Sequence, residues 1–179
     1  SKDKSFRTLR TEFMNAFKII SLTHKLAPLE LIGKLHLDEN HQQDYLGGLK
    51  IRMDLKELMF LSTCNRVEFI VNTDREIAPE FLSDLFYSIN SRLTKEDLTA
   101  LIEKTMVYEG ETALTHLFEV SASLDSLVVG EREIITQVRK AYEFCNLLGL
   151  TGDTIRLAIK QTIETAKQVY TDTDIAKNP

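Results

Sequence analysis

The sequence lacks tryptophan, has only two cysteines and three prolines, and contains no long apolar run. A helix that crosses a bilayer needs ~20 consecutive apolar residues, and no run here approaches that length. Two cysteines are too few for the usual ligand set of a structural zinc site, so no metal is expected. No basic start leads into an apolar signal core, and we therefore expect reduced thiols and a cytoplasmic location.

Neither sign of charge dominates, since 22 lysines and arginines face 27 aspartates and glutamates. The formal net charge is −5 for 179 residues, which argues against indiscriminate nucleic-acid binding because that affinity comes mainly from neutralising phosphates. A local basic face that docks on one defined RNA remains compatible with this balance. The polar opening, residues 1–15, is expected to be a poorly ordered leader or a remnant added for expression, and the rest is long enough for one domain or two small subdomains.

Apolar patterning predicts an α+β fold, a small sheet-and-helix sandwich followed by a helical bundle. Residues 16–109 are expected to form the α+β subdomain, with helices opened by Pro28 and Pro79 and a turn at Gly47–Gly48. The predicted strands are Ala16–Leu22, Leu58–Leu61, Val67–Val71 and Thr105–Tyr108. Residues 110–179 are expected to be helical, with helices at Thr112–Ser121, Glu131–Leu148 and Asp153–Tyr170.

The two cysteines have opposite surroundings. Cys145 lies on an apolar stripe of a long helical segment, where a thiol behaves as a small hydrophobe, and is predicted to be core. Cys64 sits in a polar bend between two strands, two residues before Arg66. A neighbouring cation favours the thiolate, which is the nucleophilic form. The alternative, an inconsequential loop cysteine beside a solvated arginine, stays open on these residues alone.

Four histidines are available as acid–base partners. His36 and His41 lie in the acidic stretch HLDENHQQD and are expected to be solvent-exposed. His24 ends a strand, and the pattern does not orient it. His116 lies on the flank of an apolar helical stripe, where a satisfied boundary residue is the more frequent interpretation.

Polar groups also collect before and within the helix that starts near Glu131. They are Ser126, Glu131, Glu133 and Gln137. Helix capping and a solvated acidic first turn account for them without any function.

Taken together, these clusters resemble one family, the glutamyl-tRNA reductases of tetrapyrrole and haem biosynthesis. THKLAP at Thr23–Pro28 is similar to the family's Asn-His-Lys-Thr-Ala-Pro, with Thr23 and Leu26 as departures. LSTCNRVE at Leu61–Glu68 matches the segment around the family's nucleophile. HLFEVSASLDSLVVGEREIITQVRKAY at His116–Tyr142 matches its helical signature, and AKQVYTDTDI at the end is similar to the segment that leads into the cofactor domain.

The resemblance implies a catalytic role for Cys64 and His116. The Cys64 thiol would attack the ester that joins glutamate to the terminal adenosine of its tRNA, and hydride from NADPH would reduce the resulting thioester to glutamate-1-semialdehyde. His116 could act as base, as acid to the leaving ribose oxygen, or as a polariser of the carbonyl. Arg66 would bind the substrate carboxylate through its planar fork, and Glu131 would suit the α-ammonium group.

Further residues fall on or beside substrate-contacting positions of the family. These are Thr63, Asn65, Ser126, Arg132, Glu133 and Gln137, and His24 and Glu68 are expected to support the site. Glu133 stands where the family usually has glutamine, and Ser121-Ala122-Ser123 replaces Ala-Ser-Gly. The first departure adds a carboxylate near the pocket.

No three of the seven glycines have G-x-G-x-x-G spacing, and the sequence stops where the resemblance places the cofactor domain. We therefore expect the catalytic domain of a longer enzyme, able to form the thioester but not to reduce it. NADPH binding and homodimerisation would belong to the absent domains, and the product would be passed to glutamate-1-semialdehyde aminomutase. No membrane partner is expected.

A basic face on the last helix is a candidate tRNA contact, formed by Arg156, Lys160 and Lys167. Solvated surface lysines are the more frequent explanation of such a face. Two other functions remain open, a non-catalytic tRNA-binding module and a cysteine acyl-transferase or hydrolase that acts without tRNA.

Overall fold

A computed structural model describes residues 15–122 and 134–177, and the side chains of those residues up to 168. In chain order the elements are β1 (Phe17–Thr23), α1 (Leu29–Gly33), α2 (Glu39–Arg52), β2 (Glu57–Ser62), β3 (Arg66–Asn72), α3 (Pro79–Ile89), α4 (Lys95–Lys104), β4 (Met106–Glu109), α5 (Glu111–Ser121), α6 (Ile134–Leu147) and α7 (Asp153–Lys177). The predicted leader lies outside the described residues, apart from residue 15. All four predicted strands are confirmed to within one residue at each end, and the α+β class is confirmed.

The four strands form one antiparallel sheet in the order β2-β3-β1-β4. Directly opposite residues of antiparallel strands point to the same face. Phe69 lies opposite Ile20 and Phe60, and its ring meets that of Phe86 in α3 at 6.4 Å. Helix α3 therefore covers that face of the sheet.

The other face carries Glu68, which lies opposite Ser21 and Leu61. It is covered by C-terminal helices, because Glu68 is hydrogen-bonded to His116 of α5. Helix α7 joins this face through Asn72, whose side-chain amide donates to Thr154 Oγ1 at 3.2 Å. The sheet is thus buried between two helical layers, and every residue of its strand β1 is buried.

The turn predicted at Gly47–Gly48 is wrong, because both glycines lie inside the 14-residue helix α2. The Asp38 side chain caps this helix by accepting a hydrogen bond from the His41 amide at 2.8 Å. Only Leu46 and Leu49 of the helix are buried, so its sequence has no continuous apolar stripe to reveal it. Tertiary packing of two leucines outweighs the low helix propensity of glycine.

Helix α4 was not predicted at all. Its N-terminus is a capping box in which the Thr94 hydroxyl accepts from the Asp97 amide at 3.0 Å, and the Asp97 carboxylate accepts from the Thr94 amide at 3.0 Å. The pattern T-x-x-D before an apolar residue was therefore a usable signal in the sequence. Within the described part of the chain, none of the helices combines the length and apolarity that crossing a bilayer requires.

Candidate active site at the β2–β3 hairpin

Cys64 lies at the tip of the hairpin that joins β2 to β3. The Thr63 amide donates to the Arg66 carbonyl at 2.9 Å, which leaves Cys64 and Asn65 as the two-residue loop. The Thr63 hydroxyl then accepts from the Asn65 amide at 3.2 Å and stiffens the loop. Cys64 is exposed and forms no disulfide. Its side chain is therefore accessible to solvent.

The end of β1 runs along this loop. Thr23 pairs with Arg66, and the His24 amide donates to the Asn65 carbonyl at 2.9 Å. The predicted supporting residue His24 is thus brought next to the hairpin tip. Its ring is half-buried, and its Nδ1 is sealed from solvent with no hydrogen-bond partner in the part of the chain that the structure describes.

Below the tip lies a buried charged cluster of three residues, Arg66, Glu68 and His116. Arg66 and Glu68 are each 1% exposed, and Arg66 Nη1 lies 3.6 Å from Glu68 Oε2. The second carboxylate oxygen, Oε1, is hydrogen-bonded to Nε2 of His116. The His116 ring stacks on Tyr108 with centroids 4.1 Å apart and planes 12° apart. The imidazole is therefore fixed by one polar and one aromatic contact.

Electrostatics keep Glu68 ionised in this buried position. Burial by itself raises the pKa of the carboxyl, but the His116 hydrogen bond and the charges of His116 and Arg66 outweigh it, so the pKa of Glu68 lies below its ordinary value. A buried carboxylate beside a guanidinium and a hydrogen-bonded imidazole is consistent with the rule that buried charges are paired. The cluster is thus a preformed charged site inside the sheet.

Arg66 was predicted to bind the substrate carboxylate, and the structure places its guanidinium beside Glu68. Among the described residues, no hydrogen bond or ion pair joins Cys64 to this cluster. The cluster and the thiol are neighbours because Arg66 follows Cys64 by two residues and begins β3. Thr63 and Asn65 are half-buried and flank the thiol directly.

The second cysteine is core, as predicted. Cys145 is fully buried in α6, and burial raises the pKa of its thiol although the Phe60 amide donates a hydrogen bond to the sulfur. A buried thiol with a raised pKa is unreactive. The two cysteines are therefore chemically distinct.

A groove of about 350 Å³ runs beside the end of β2. At its wall Ser62 Oγ and His36 Nδ1 lie 2.6 Å apart, and the predicted substrate-binding residue Gln137 also lines it. His36 and His41 are exposed, as predicted. The lining is made by His36, Leu37, Asp38, Glu39, Gln42, Phe60, Leu61, Ser62, Gln137, Lys140, Ala141 and Phe144.

Four predicted substrate-binding residues, Ser126, Glu131, Arg132 and Glu133, lie outside the described residues. The three candidates for tRNA contact on α7 are all exposed. Arg156 is paired with Asp153 at 3.2 Å, and the exposed Glu164 stands one helical turn after Lys160. The face is therefore mixed in charge.

The described residues do not fit a dinucleotide cofactor. Such sites use a glycine-rich turn between a strand and a helix of a parallel β–α–β unit, whereas every strand pair here is antiparallel. No group of three or more histidine, cysteine, aspartate or glutamate residues suited to a metal ion occurs within 15–122 and 134–168.

Two contacts of the site were missed by sequence reasoning, the stacking of Tyr108 on His116 and the Ser62–His36 hydrogen bond. Both contacts join residues that are distant in sequence, so no local sequence pattern predicts them. Tyr108 could have been found only from the pairing of β4 with β1, which sets it opposite Ile19 on the same face as Glu68.

Known proteins resemble this chain in both sequence and fold. The sequence model of the family described as "Glutamyl-tRNAGlu reductase, N-terminal domain" matches residues 20–173. A glutamyl-tRNA reductase of Campylobacter hominis is 35% identical over 161 residues, which cover 89% of this chain and 37% of that protein. One from Desulforudis audaxviator is 32% identical, covering 90% of this chain and 35% of that protein.

The solved structure of glutamyl-tRNA reductase from Methanopyrus kandleri matches with a TM-score of 0.69 at 25% identity, covering 89% of this chain and 35% of the other. The chain thus spans little more than a third of the length of these relatives. Because the family match covers most of its residues, the chain belongs to the glutamyl-tRNA reductase N-terminal domain family.

Proposed function

We propose that this chain performs the acyl-transfer step of glutamyl-tRNA reductase. The observation that carries the proposal is the exposed Cys64 at the hairpin tip, two residues before Arg66, which belongs to the buried Arg66–Glu68–His116 cluster. Nucleophilic catalysis by cysteine uses an accessible thiol together with a cation and an acid–base group, and we assign these roles to Cys64, Arg66 and His116.

The step is an exchange of an oxygen ester for a thioester. The Cys64 thiolate attacks the carbonyl carbon of the ester that links glutamate to the terminal ribose. The tetrahedral intermediate collapses with cleavage of the carbon–oxygen bond, and the ribose oxygen leaves and takes up a proton. The products are a glutamyl thioester on Cys64 and deacylated tRNA, and no oxidant or reductant is consumed.

His116 is the group proposed to exchange the proton. Its Nε2 is committed to Glu68, so the proton to or from the substrate passes through Nδ1. The Glu68 hydrogen bond and the stacked Tyr108 ring limit rotation of the imidazole, so Nδ1 is the atom proposed to pass the proton to the leaving ribose oxygen. Glu68 and Tyr108 are thus positioning residues that act through His116.

Recognition of the amino acid is proposed to involve Arg66, with Thr63 and Asn65 as hydrogen-bonding groups beside the carbonyl. The Arg66 guanidinium has five N–H donors, so it can bind a substrate carboxylate while its Nη1 stays paired with Glu68 Oε2. Ser126, Glu131, Arg132, Glu133 and Gln137 remain proposed contacts by family resemblance, and Glu131 would pair with the substrate's α-ammonium group.

The complete enzyme is proposed to reduce glutamyl-tRNA to glutamate-1-semialdehyde for tetrapyrrole synthesis. In that reaction NADPH supplies the hydride that converts the thioester to an aldehyde. The described residues do not fit the cofactor, so no hydride-transfer step is assigned to them. Homodimerisation and transfer of the product to the aminomutase are likewise proposed for the longer protein.

Trapping the acyl-enzyme tests this proposal. Incubation with glutamyl-tRNA, acid quenching and mass spectrometry should reveal one glutamyl adduct on the peptide that contains Cys64, removable by hydroxylamine. Cys64→Ser should abolish the thioester, and Cys145→Ala should retain it, which separates chemistry from the mere presence of a thiol.

Other outcomes of the same experiment identify the alternatives. Binding of tRNA without an adduct would favour a non-catalytic binding module. Rapid turnover of simple esters without tRNA would favour a free-standing acyl-transferase or hydrolase. If these 179 residues formed the semialdehyde with NADPH and no other protein, the chain would also perform the reduction. That result would contradict the proposal, which assigns it the acyl transfer and not the reduction.

A further inference from the structure

Strand β2 lies at one edge of the sheet, and its pairing with β3 shows which backbone groups point outward. The Thr63 amide donates to the Arg66 carbonyl at 2.9 Å, so these two residues form a hydrogen-bonded pair. Such pairs alternate, along an antiparallel ladder, with pairs whose N–H and C=O groups point away from the partner strand. Leu58, Phe60 and Ser62 therefore direct their backbone groups away from β3, toward the edge of the sheet.

Helix α6 and the residues after it cover the first part of this edge. The Leu58 amide donates to the Leu150 carbonyl at 2.9 Å, and the Phe60 amide donates to Cys145 Sγ. Within the described part of the chain, no backbone group pairs with the Phe60 carbonyl or with the amide and carbonyl of Ser62. One donor and two acceptors are thus left open at the end of β2.

The groove beside β2 follows this open part of the edge. Residues 60–62 line it, and its volume is about 350 Å³. One wall is formed by residues 36–42, which lie on the face that carries the Ser62 side chain, because Ser62 Oγ and His36 Nδ1 are 2.6 Å apart. The other wall is formed by α6. An extended chain that enters the groove therefore meets the edge of β2 and a wall on each side.

The two walls differ in charge. Asp38 and Glu39 are exposed on the wall made by residues 36–42, the acidic wall, and Lys140 is exposed on the wall made by α6. Hydrogen bonds from the backbone and side chain of His41 hold the pKa of Asp38 below its ordinary value, so this carboxylate is ionised at neutral pH. The groove therefore presents negative charge on one side and positive charge on the other.

We propose that this groove is a docking site for an extended segment of a partner protein, which adds a short strand to the edge of β2. In strand addition the backbone hydrogen bonds give affinity and the alternate side chains give specificity. The open backbone groups of Phe60 and Ser62 supply the hydrogen bonds. An RNA segment has no backbone amides to donate to their carbonyls, and the acidic wall repels its phosphates.

The walls also define the sequence that fits. Successive side chains of a strand point to opposite faces, and directly opposite residues of paired strands share a face. The docked residues opposite Phe60 and Ser62 therefore point to the acidic wall. The residue between them, opposite Leu61, points to the other face and to Lys140. A basic, an acidic and a basic residue in succession give the complementary arrangement.

Two synthetic peptides test the complementarity of charge. One contains Val-Lys-Glu-Lys-Val and the other Val-Glu-Lys-Glu-Val, both with capped ends and the same fluorescein label. Fluorescence anisotropy should show that the wild type binds the first peptide at least about fivefold more tightly than the second. The double variant Glu39→Lys, Lys140→Glu should prefer the second peptide, because the charges of both walls are then exchanged.

Substitutions at Ser62 test the pairing of the backbone. Ser62→Pro removes the outward N–H, and proline is tolerated at an edge position whose N–H lies outside the ladder. This variant should bind the first peptide roughly fivefold to tenfold more weakly. Ser62→Ala keeps the N–H and loses only the hydroxyl, so its affinity should match the wild type.

Two further measurements separate docking from damage to the fold. Val107→Pro places a proline at an outward position of the other edge strand, β4, and should leave the affinity unchanged. In the wild type, the first peptide should slow hydrogen exchange of the Ser62 amide at least about fivefold, a result that depends on no variant.

Three results would overturn the inference. The first is absence of binding of either peptide at concentrations up to about 1 mM. The second is equal affinity for both peptides together with equal affinity of Ser62→Pro and Ser62→Ala. The third is dimerisation of the wild type that Ser62→Pro abolishes in sedimentation velocity, which would make a second copy of this chain the occupant. None of these measurements uses an acyl donor, so each outcome leaves the proposed acyl transfer to its own test.

Discussion

Glu68 holds the imidazole of His116 across 48 residues of sequence, and the same carboxylate faces the guanidinium of Arg66. All three groups are buried. Removing one member of a buried charged set leaves the others unpaired, which costs more than the set contributes when intact. Glu68 is therefore expected to control both the stability of the sheet and the orientation of His116.

The pH dependence of stability should report Glu68. Its pKa is lowered in the folded state from an ordinary value of 4.5, so its ionised form stabilises the fold at neutral pH, and this contribution is lost as pH falls below 4.5 and through the folded-state pKa. Glu68→Gln should lower the free energy of unfolding by roughly 3 kcal/mol at pH 7. The difference from wild type should shrink toward pH 3.

Urea unfolding followed by circular dichroism between pH 7 and pH 3 measures this difference. Glu164→Gln, an exposed change on α7, is the matched control and should leave the wild-type profile unchanged. A constant difference between wild type and Glu68→Gln over the whole range would show that the carboxylate does not contribute through its charge.

The reactivity of the two thiols should differ sharply. Cys64 is exposed, whereas Cys145 is buried with a raised pKa, so a disulfide reagent such as DTNB should titrate one thiol quickly in the folded protein and two in guanidinium chloride. Cys64→Ala should remove the fast phase, and Cys145→Ala should keep it. Two fast thiols in the native state would contradict the buried position of Cys145.

Local patterns sufficed for the strands, the buried Cys145 and the exposed hairpin cysteine. Strand alternation and the helical stripe are short-range signals, and tertiary packing here agrees with them. The contact between Glu68 and His116 could not be predicted from the sequence, because it depends on which face of β3 points to α5. Sequence reasoning placed both residues in motifs but could not pair them.

Helix α2 shows the opposite failure, in which a local signal pointed the wrong way. Gly47 and Gly48 suggest a turn, yet both adopt helical backbone with open space where a Cβ would be. The helix is held by its Asp38 cap and by the burial of Leu46 and Leu49. Only the long-range contacts of those leucines decide the outcome.

Alanine at two of the glycines should have opposite effects. Gly47→Ala should raise the free energy of unfolding by about 0.5–1 kcal/mol, because alanine loses less backbone entropy in a helix and meets no neighbour. Gly149→Ala should lower it by roughly 1–2 kcal/mol, because Gly149 has a φ of +73°. Urea titrations of the two variants against wild type measure both. A stabilising Gly149→Ala would refute the left-handed conformation.

Gly152 should resist substitution for a steric reason. Its amide donates to Glu57 Oε1 at 2.5 Å, and a Cβ there would lie 3.1 Å from the same carboxylate. Glu57 also accepts from the Ile155 amide at 3.0 Å and so anchors the start of α7 to β2. Gly152→Ala should therefore cost roughly 1–3 kcal/mol of stability.

A double-mutant cycle separates this contact from general damage. If the clash with Glu57 causes the loss, Gly152→Ala should cost much less in a Glu57→Ala background, where the side chain is shortened. Equal losses in both backgrounds, measured by urea unfolding, would show that the close approach is not responsible.

The last prediction concerns the exposed cations of α7 and their proposed contact with tRNA. Arg156 is already paired with Asp153, and Glu164 interrupts the face after Lys160. Of the three candidates, Lys160 and Lys167 are therefore the ones to test. A plot of log affinity against log salt concentration has a negative slope. If these lysines contact tRNA phosphates, each reversal to glutamate should make that slope less steep by roughly 0.7–0.9. Lys95→Glu on α4 is the matched control for net charge. Binding curves at several salt concentrations with an unchanged slope for Lys160→Glu and Lys167→Glu would remove α7 from the tRNA surface.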